Sequence, residues 1–208
     1  MAIESHTMSI LSRIIECKKR HCPLLAVLID PNKPTVYQTI LPYLQEVDLV
    51  FVGGSTGESI EPCISTLREY TNTPLVLFPG NIAQFSPHAD ALLFLSLLNA
   101  RDADMLITPH IKVAKQVLQS GIESIPMGYI LLDGERISSV EKVSRCVPIL
   151  QNDVDHIVAT ALAGQLLGKQ LIYLEAGSGA KKVVSADRID IQVLIGHKEE
   201  MILPCGAQ

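Results

Sequence analysis

The chain has 208 residues, of which 48% are hydrophobic and 19% are charged. This composition supplies one domain with a sizeable core and is too apolar for an intrinsically disordered chain. The formal net charge is −5 and only 4% of the residues are aromatic. Nucleic-acid binding generally needs a basic face or aromatic stacking platforms, so we expect no nucleic-acid partner.

The five cysteines are odd in number, scattered, and form no C-x-x-C pair. This pattern disfavours a disulfide scaffold or a zinc site and predicts a cytoplasmic protein. The first seven residues are polar and include Glu4, unlike a signal peptide. The longest apolar run, residues 91–100, is too short for a membrane span of roughly 20 residues.

Short apolar runs alternate along the chain with amphipathic helical patterns. In chain order we predict a helix at 9–17, a strand at 24–29, a helix across 36–47, a strand at 49–52, a helix at 60–70, strands at 74–78 and 91–97, a helix within 109–121, a strand at 126–132, a helix across 153–168 and a strand at 171–174. Continuous apolar strands that alternate with helices are typical of a parallel α/β protein.

Two parallel architectures compete, a closed eight-stranded barrel and an open doubly wound sheet. Glycines and polar residues follow many of the predicted strands, at Asp30, residues 53–55, Gly80, Asn99 and residues 175–179. Barrel enzymes build their sites from many strand ends, whereas open sheets bind ligands at one switch point. We therefore predict a single barrel domain over residues 1–208.

The first candidate site follows the strand at 24–29, where Asp30, Pro31, Asn32 and Lys33 occur in succession. A carboxylate at the end of a buried strand needs a partner. Mg²⁺ or Lys33 could supply one. Sites for Mg²⁺ combine one or two protein oxygens with substrate phosphates and water. A capping or turn role for Asp30 explains the spacing equally well.

The second candidate site is the sequence Gly53-Gly54-Ser55-Thr56-Gly57. Glycines let backbone amides approach a phosphate, and the hydroxyl groups can bind an oxyanion or a metal. The segment lacks the Gly-Lys-Ser/Thr of a P-loop. A tight turn between strand and helix remains an equal alternative.

The third candidate site is the sequence from Tyr173 to Ala180. Alternation along a strand directs Tyr173 and Glu175 to one side and Leu174 to the other. A buried acid beside a tyrosine favours a functional site, and the Gly-Ser-Gly at residues 177–179 suits phosphate binding. The six histidines show no metal-ligand spacing, so we interpret them as surface or capping residues.

Six ordered motifs within residues 24–180 resemble the geranylgeranylglyceryl phosphate synthase family. They are DPNK at 30–33, FVGGS at 51–55, FPGN at 78–81, LSLLNAR at 95–101, IPMGY at 125–129 and YLEAGSG at 173–179. The resemblance implies a Mg²⁺-dependent prenyltransferase on a modified (β/α)₈ barrel. It also implies a homo-oligomer, and a lipid substrate and product are consistent with peripheral membrane contact.

The implied reaction joins geranylgeranyl diphosphate to the C3 hydroxyl of sn-glycerol 1-phosphate and releases diphosphate. By the same resemblance, Asp30 and Ser55 are the expected metal ligands. Glu175 and Tyr173 are the expected catalytic residues, with Glu175 as the proton acceptor. The expected substrate-binding residues are Tyr173, Leu174, Glu175, Ala176, Gly177, Ser178 and Gly179.

The C-terminal segment, residues 181–208, departs from the family pattern. The family continues with strands ending in Gly-Gly and Gly-Asn turns that hold the glycerol phosphate. Here residues 191–196 form a candidate seventh strand followed by His197, and no Gly-Asn turn follows. We therefore expect a truncated or out-of-frame segment and a barrel that lacks its last strand or strands. The alternatives are a different phosphate-binding barrel enzyme, such as an isomerase or aldolase, and an inactive family member.

Overall fold

A computed structural model describes residues 8–33, 38–54, 59–81 and 83–184, together with the backbone of a strand at 201–204. Seven parallel strands form one sheet in sequence order. The strands are β1 (Ala26–Ile29), β2 (Leu49–Val52), β3 (Leu75–Leu77), β4 (Ala91–Leu97), β5 (Glu123–Leu131), β6 (Leu171–Glu175) and β7 (Met201–Pro204). The predicted parallel α/β fold is thus confirmed.

Helices connect most of the strands. Within the described ranges the α-helices include α1 (Ile10–Lys19), α2 (Glu61–Tyr70), α3 (Ala103–Leu106), α4 (Thr108–Ser120), α5 (Ser139–Ser144) and α6 (Val154–Leu166). The sequence pattern did not predict α3 and α5, because helices of four and six residues are too short to establish a helical period.

Three predicted elements differ from the structure. Instead of a helix across 36–47, the described part has helical residues at 38–40 and a 3₁₀ turn at Leu41–Tyr43, where Pro42 limits regular helix. Val36 lies outside the described residues. Strand β5 begins three residues before the predicted start, because Glu123 and Ser124 already pair with β4. The predicted strand at 191–196 lies outside the described residues, and the seventh strand is β7.

Side chains alternate between an inner cluster and two outer clusters. Phe51, Leu93, Met127 and Tyr173 belong to the inner cluster, which fills the concave side of the curled sheet. The outer faces of the strands pack against the surrounding helices and loops. This two-sided burial explains why the strand sequences are continuously apolar.

Helix α1 closes the end of the fold at which the strands begin. The backbone amides of Ile10 and Leu11 donate hydrogen bonds to the two carboxylate oxygens of Glu123, at 2.7 and 2.9 Å. These are among the first amides of α1, so the carboxylate satisfies donors that the helix cannot. Ile14 is buried in the inner cluster. Ligands must therefore approach from the opposite end, where the strands finish.

The sheet wall is incomplete between β3 and β4. Strand β3 has three residues and pairs with β4 only through Val76↔Ala91 and Leu77↔Leu92. The described residues of the connection that follows β3, 78–81 and 83–90, contain no helix. Beyond Leu92, β4 therefore continues without a strand partner on this side. No helix in the described ranges is both long and apolar enough to cross a membrane.

Candidate active site

A cavity of about 1140 Å³ lies over the carboxyl ends of the strands. It brings together the ends of β1 and β2 and the loop that follows β6, which carry residues of the three candidate stretches, and adds the end of β3. Polar groups on its wall include Asp30, Lys33, Asn81 and Glu175. Because these groups are distant in sequence, only the parallel topology brings them into one site.

Asp30 follows β1 directly and faces the cavity. Its Oδ1 accepts a hydrogen bond from the backbone amide of Asn32 at 3.0 Å. Its Oδ2 lies 3.7 Å from Nζ of Lys33. Asp30 thus forms the local turn that the structural alternative predicted and also presents its carboxylate to the cavity.

The glycines after β2 are required by close backbone packing. A Cβ atom on Gly53 would lie 1.9 Å from the carbonyl oxygen of Phe78, so only glycine allows β2 and β3 to end so close together. A Cβ atom on Gly54 would lie 2.7 Å from Oδ1 of Asp30. Gly54 therefore keeps the space beside the Asp30 carboxylate open. Ser55, the other predicted metal ligand, lies outside the described residues.

Gln84 connects the two glycine-containing turns. Its side chain is only 1% exposed, and its Oε1 accepts hydrogen bonds from the amides of Gly80 at 2.8 Å and Gly54 at 3.3 Å. This residue was not among the predicted site residues, because its partners are backbone groups four and thirty positions away. It fixes the turn that carries Gly54 beside Asp30.

The donor set at Asp30 fits a hard divalent cation. Carboxylate oxygens are its preferred ligands, and Gly54 contributes no side chain that would fill the adjacent space. Across the described ranges, no group of three or more His, Cys, Asp or Glu side chains could hold a metal ion. A magnesium ion that takes most of its ligands from phosphate and water needs no such group.

Glu175, at the end of β6, is the second acid of the cavity. The hydroxyl of Tyr129 donates a hydrogen bond to its Oε2. Burial raises the pKa of Glu175 above its usual value, and the Tyr129 hydrogen bond opposes part of that rise. A carboxyl group with a raised pKa can accept a proton near neutral pH, so Glu175 has the properties of a general base.

Tyr129 is a site residue that sequence reasoning missed. It lies on β5 opposite Tyr173 of β6, lines the cavity and contacts Glu175. Its position in the IPMGY motif was visible in the sequence. The contact itself depends on the register between two strands, which sequence spacing does not establish.

Tyr173 has a different position from the one predicted for a catalytic residue. It is buried in the inner cluster, with its ring centroid 5.1 Å from that of Phe78 and 5.3 Å from that of Tyr129. Leu174 lies in an outer cluster, on the other face of the strand. Tyr173 therefore supports the aromatic floor on which Tyr129 rests, and the Leu174 side chain is directed away from this floor.

The loop after β6 continues the cavity wall through Ala176, Gly177, Ser178 and Gly179. Gly177 and Gly179 have φ values of +92° and +71°, which strain any other residue. A Cβ atom on Gly177 would also lie 2.4 Å from Cβ of Ser138. The guanidinium of Arg136 donates to the carbonyl of Gly179 at 3.3 Å, which places a cation beside the loop.

Asn99 has a structural role, although it was noted among the polar strand ends. It is buried, and its side chain exchanges hydrogen bonds with the backbone amide and carbonyl of Leu131 at 3.1 Å. Its Nδ2 also donates to the carbonyl of Val147 at 3.0 Å. Asn99 thus holds the ends of β4 and β5 together and is not part of the cavity wall.

The cavity also has an apolar arm that passes through the incomplete wall between β3 and β4. Its lining includes inward-facing Leu93 and Leu95 and outward-facing Phe94 of the same strand. Phe85 from the β3–β4 connection and Val113 from α4 complete this arm. The sequence did not localise such a groove, because it arises where a short strand and a missing helix leave space.

One histidine differs from the expected surface or capping role. His110 on α4 is only 8% exposed and lines the cavity. Its Nε2 lies 2.7 Å from the carbonyl oxygen of Leu95, and its ring packs edge-on against Phe94. No helical pattern distinguishes this histidine from an exposed one.

Comparison with known proteins shows the family. Residues 13–203 match the sequence model described as the PcrB family. A protein of Zunongwangia profunda named geranylgeranylglyceryl phosphate synthase is 44% identical over 194 residues, which cover 88% of this chain and 83% of that protein.

Two solved structures are similar to this fold. One is wild-type GGGPS from Thermoplasma volcanium, with a TM-score of 0.77 and 34% identity over 88% of this chain and 76% of that chain. The other is (S)-3-O-geranylgeranylglyceryl phosphate synthase from Thermoplasma acidophilum in complex with the substrate sn-glycerol-1-phosphate. Its TM-score is 0.79, with 29% identity over 89% of this chain and 76% of that chain.

Proposed function

Because the chain belongs to the PcrB family, we propose that it joins geranylgeranyl diphosphate to the C3 hydroxyl of sn-glycerol 1-phosphate. The observation that carries the proposal is the two-part cavity. Its polar part, at the strand ends, contains Asp30 and Glu175, whereas its apolar arm passes through the sheet wall. This division matches a substrate pair in which a long hydrocarbon chain and charged phosphate groups must be held together.

The proposed reaction forms a carbon–oxygen bond between C1 of the prenyl chain and the glycerol C3 oxygen. The bond between C1 and diphosphate breaks, and the diphosphate leaves with the electron pair. The hydroxyl proton is transferred to Glu175, whose raised pKa suits this role. Tyr129, which hydrogen-bonds to Oε2 of Glu175, orients the carboxylate toward the glycerol hydroxyl.

The metal proposal concerns Asp30, with Ser55 as a further ligand. Asp30 would hold Mg²⁺ through its carboxylate in the space that Gly54 leaves open. When bound, the ion would neutralise charge on the leaving diphosphate. Lys33, with Nζ 3.7 Å from Asp30, adds a second positive charge at the same position.

The segment from Tyr173 to Gly179 is proposed to bind glycerol phosphate. Gly177 and Gly179, with positive φ values, place no side chains in the cavity, so backbone amides can approach a phosphate oxygen. Ala176 and Ser178 line the same wall. In this proposal Tyr173 supports the binding surface from beneath, and the Leu174 side chain anchors the strand in the outer core.

The test is diphosphate release from geranylgeranyl diphosphate by the purified chain. We expect release with sn-glycerol 1-phosphate and Mg²⁺, and little release with the 3-phosphate enantiomer or with EDTA. Release that is independent of the glycerol phosphate would indicate hydrolysis and contradict the proposal. Equal release with both enantiomers would indicate a different phosphate-binding barrel enzyme.

We also propose that the chain contacts a lipid surface and associates with a second copy of itself. Tyr43, Val143 and Val183 are exposed and line the cavity, where they are suited to contact a lipid surface that holds the prenyl substrate.

Helix α6 has only four polar residues among thirteen, and its end exposes Leu166 at 88% and Leu167 at 76%. A helix that is apolar on all sides is normally covered, and homodimer interfaces are among the most apolar.

The Leu166→Asp substitution tests association through α6. We expect the wild-type chain to sediment as a dimer or larger assembly and the variant to shift to monomer, because a carboxylate would be desolvated at the interface. Gln119→Asp, at an exposed position on α4, is the charge-matched control. A monomeric wild-type chain, or an unchanged assembly of the variant, would contradict association through α6.

A further inference from the structure

The gap between β3 and β4 leaves backbone groups of β4 without a strand partner. The amide of Leu98 donates to the carbonyl of Tyr129 on β5 at 2.8 Å. Since alternate residues of a parallel strand bond to opposite neighbours, the backbone groups of Leu95 face β3. Strand β3 has already ended at Leu77, so the Leu95 carbonyl must find another donor.

His110 supplies that donor. Its Nε2 lies 2.7 Å from the Leu95 oxygen, and a nitrogen that bonds to a carbonyl oxygen must carry a proton. In the neutral ring the other nitrogen, Nδ1, then holds a lone pair. Nδ1 is buried and has no hydrogen-bond partner among the described residues.

The imidazole also stands in the apolar arm of the cavity. Its centroid lies 4.4 Å from that of Phe94, in an edge-on arrangement, and Val113 lies one turn further along the same helix. A charged imidazolium here would lie in apolar surroundings, where the Ile107 carbonyl offsets only part of the cost of burying the charge. A hydrocarbon chain in the arm would remove the remaining water and increase that cost.

We propose that His110 is a positioning residue for the prenyl chain and that the chain binds in the arm only while the imidazole is neutral. This inference rests on the proposed function, since it takes the arm as the binding site for hydrocarbon. In its neutral form His110 closes the unpaired edge of β4 and presents an apolar ring face to the chain. Protonation and occupation of the arm are therefore mutually unfavourable.

The groups around His110 also favour the neutral form of its ring. Burial lowers the pKa of His110 below 6.5, and the carbonyls of Leu95 and Ile107 oppose this only in part. The charge of Lys169, from the connection between α6 and β6, lowers the pKa further. Asp104 of α3 lines the same cavity and is exposed to solvent. Occupation of the arm would lower the pKa again, so the affinity for the chain must fall as the pH falls through the already lowered pKa of His110.

The experiment compares two diphosphates that differ in the length of the hydrocarbon. Calorimetric titrations with geranylgeranyl diphosphate and with dimethylallyl diphosphate are made in Mg²⁺ from neutral pH to well below 6.5. Titration of the diphosphate group affects both ligands, whereas only the long chain reaches His110. We expect the long ligand to weaken more steeply, by up to about tenfold per pH unit beyond the short one.

Two variants separate the role of the ring from that of its charge. His110→Phe keeps an aromatic ring but cannot be protonated, so the excess pH dependence should disappear. His156→Phe, at an exposed position on α6, should retain it. Equal pH dependence for the two ligands in the wild-type chain, or excess dependence that persists in a folded His110→Phe variant, would overturn the inference. A wild-type chain that binds neither ligand at neutral pH would instead show that the proposed function is wrong.

Discussion

The two acids of the cavity, Asp30 and Glu175, occupy equivalent positions at strand ends but have different environments. Asp30 accepts a backbone amide hydrogen bond and lies near the ammonium group of Lys33, beside the space kept open by Gly54. Glu175 is more buried, and its carboxylate accepts a hydrogen bond from the neutral hydroxyl of Tyr129. These environments suit Asp30 to bind a positive charge and Glu175 to exchange a proton. Residue type and strand position alone do not distinguish these roles.

The largest expected effect is that of Glu175→Gln. The amide keeps the shape of the side chain but cannot accept the hydroxyl proton, so we expect kcat to fall by about 100- to 10,000-fold. Diphosphate release under saturating substrates measures this loss. Glu135→Gln, an exposed acid outside the cavity wall, is the control and should retain wild-type activity.

Binding separates a lost proton acceptor from a lost site. Calorimetric affinity for sn-glycerol 1-phosphate should change far less than kcat in the Glu175→Gln variant. A variant that keeps more than about a tenth of the wild-type kcat would remove Glu175 from the proton-transfer role, since general bases contribute at least 100-fold. The contrast with Asp30 would then fail.

The next effect is that of Asp30→Asn. Loss of the carboxylate charge should lower the activity by at least about 10- to 100-fold. Mutation of residues that only hydrogen-bond to a metal ligand already causes a loss of this size. The Mg²⁺ concentration for half-maximal activity should rise, whereas it should stay unchanged in Glu175→Gln. Glu69→Gln, at an exposed position on α2, provides the charge-matched control. An unchanged Mg²⁺ dependence would show that Asp30 serves only its local turn.

The sequence predicted the parallel fold and the positions of the two acids at strand ends, because both produce recognisable local sequence patterns. Buried parallel strands are continuously apolar, and a carboxylate directly after such a run is conspicuous. Tyr129, Gln84 and His110 leave no comparable mark. Each acts through a contact with another strand or connection, and such contacts depend on register and on where a neighbouring strand ends.

The same limit applies to the depth of the side chains within residues 173–179. Alternation correctly separates Tyr173 from Leu174, but it does not show how deep in the barrel each inner side chain lies. The structure places Tyr173 in the packed floor and Glu175 at the cavity. The assignment of residues 181–208 as a divergent or truncated segment of a single domain stays a prediction, as does the metal-ligand role of Ser55.

The smallest expected effect, and the one that tests the Glu175 environment most directly, is that of Tyr129→Phe. The hydroxyl of Tyr129 lowers the pKa of Glu175 against the opposing effect of burial. Its removal should therefore raise that pKa further. The base is active only when ionised, so activity falls as the pH falls through this pKa, and the acidic limb of the kcat profile should move to higher pH.

The aromatic floor provides the control for this shift. Tyr173→Phe removes a hydroxyl from the same stacked group while leaving the hydrogen bond between Tyr129 and Glu175 in place, so its acidic limb should stay near that of the wild-type chain. If both variants move the limb equally, the floor as a whole sets the environment of Glu175. If neither moves it, the limb reports another group, and the assignment of Glu175 as the titrating base is wrong. Only a shift confined to Tyr129→Phe supports a buried Glu175 whose pKa is lowered by the Tyr129 hydroxyl, in contrast to Asp30, which lies beside a positive charge.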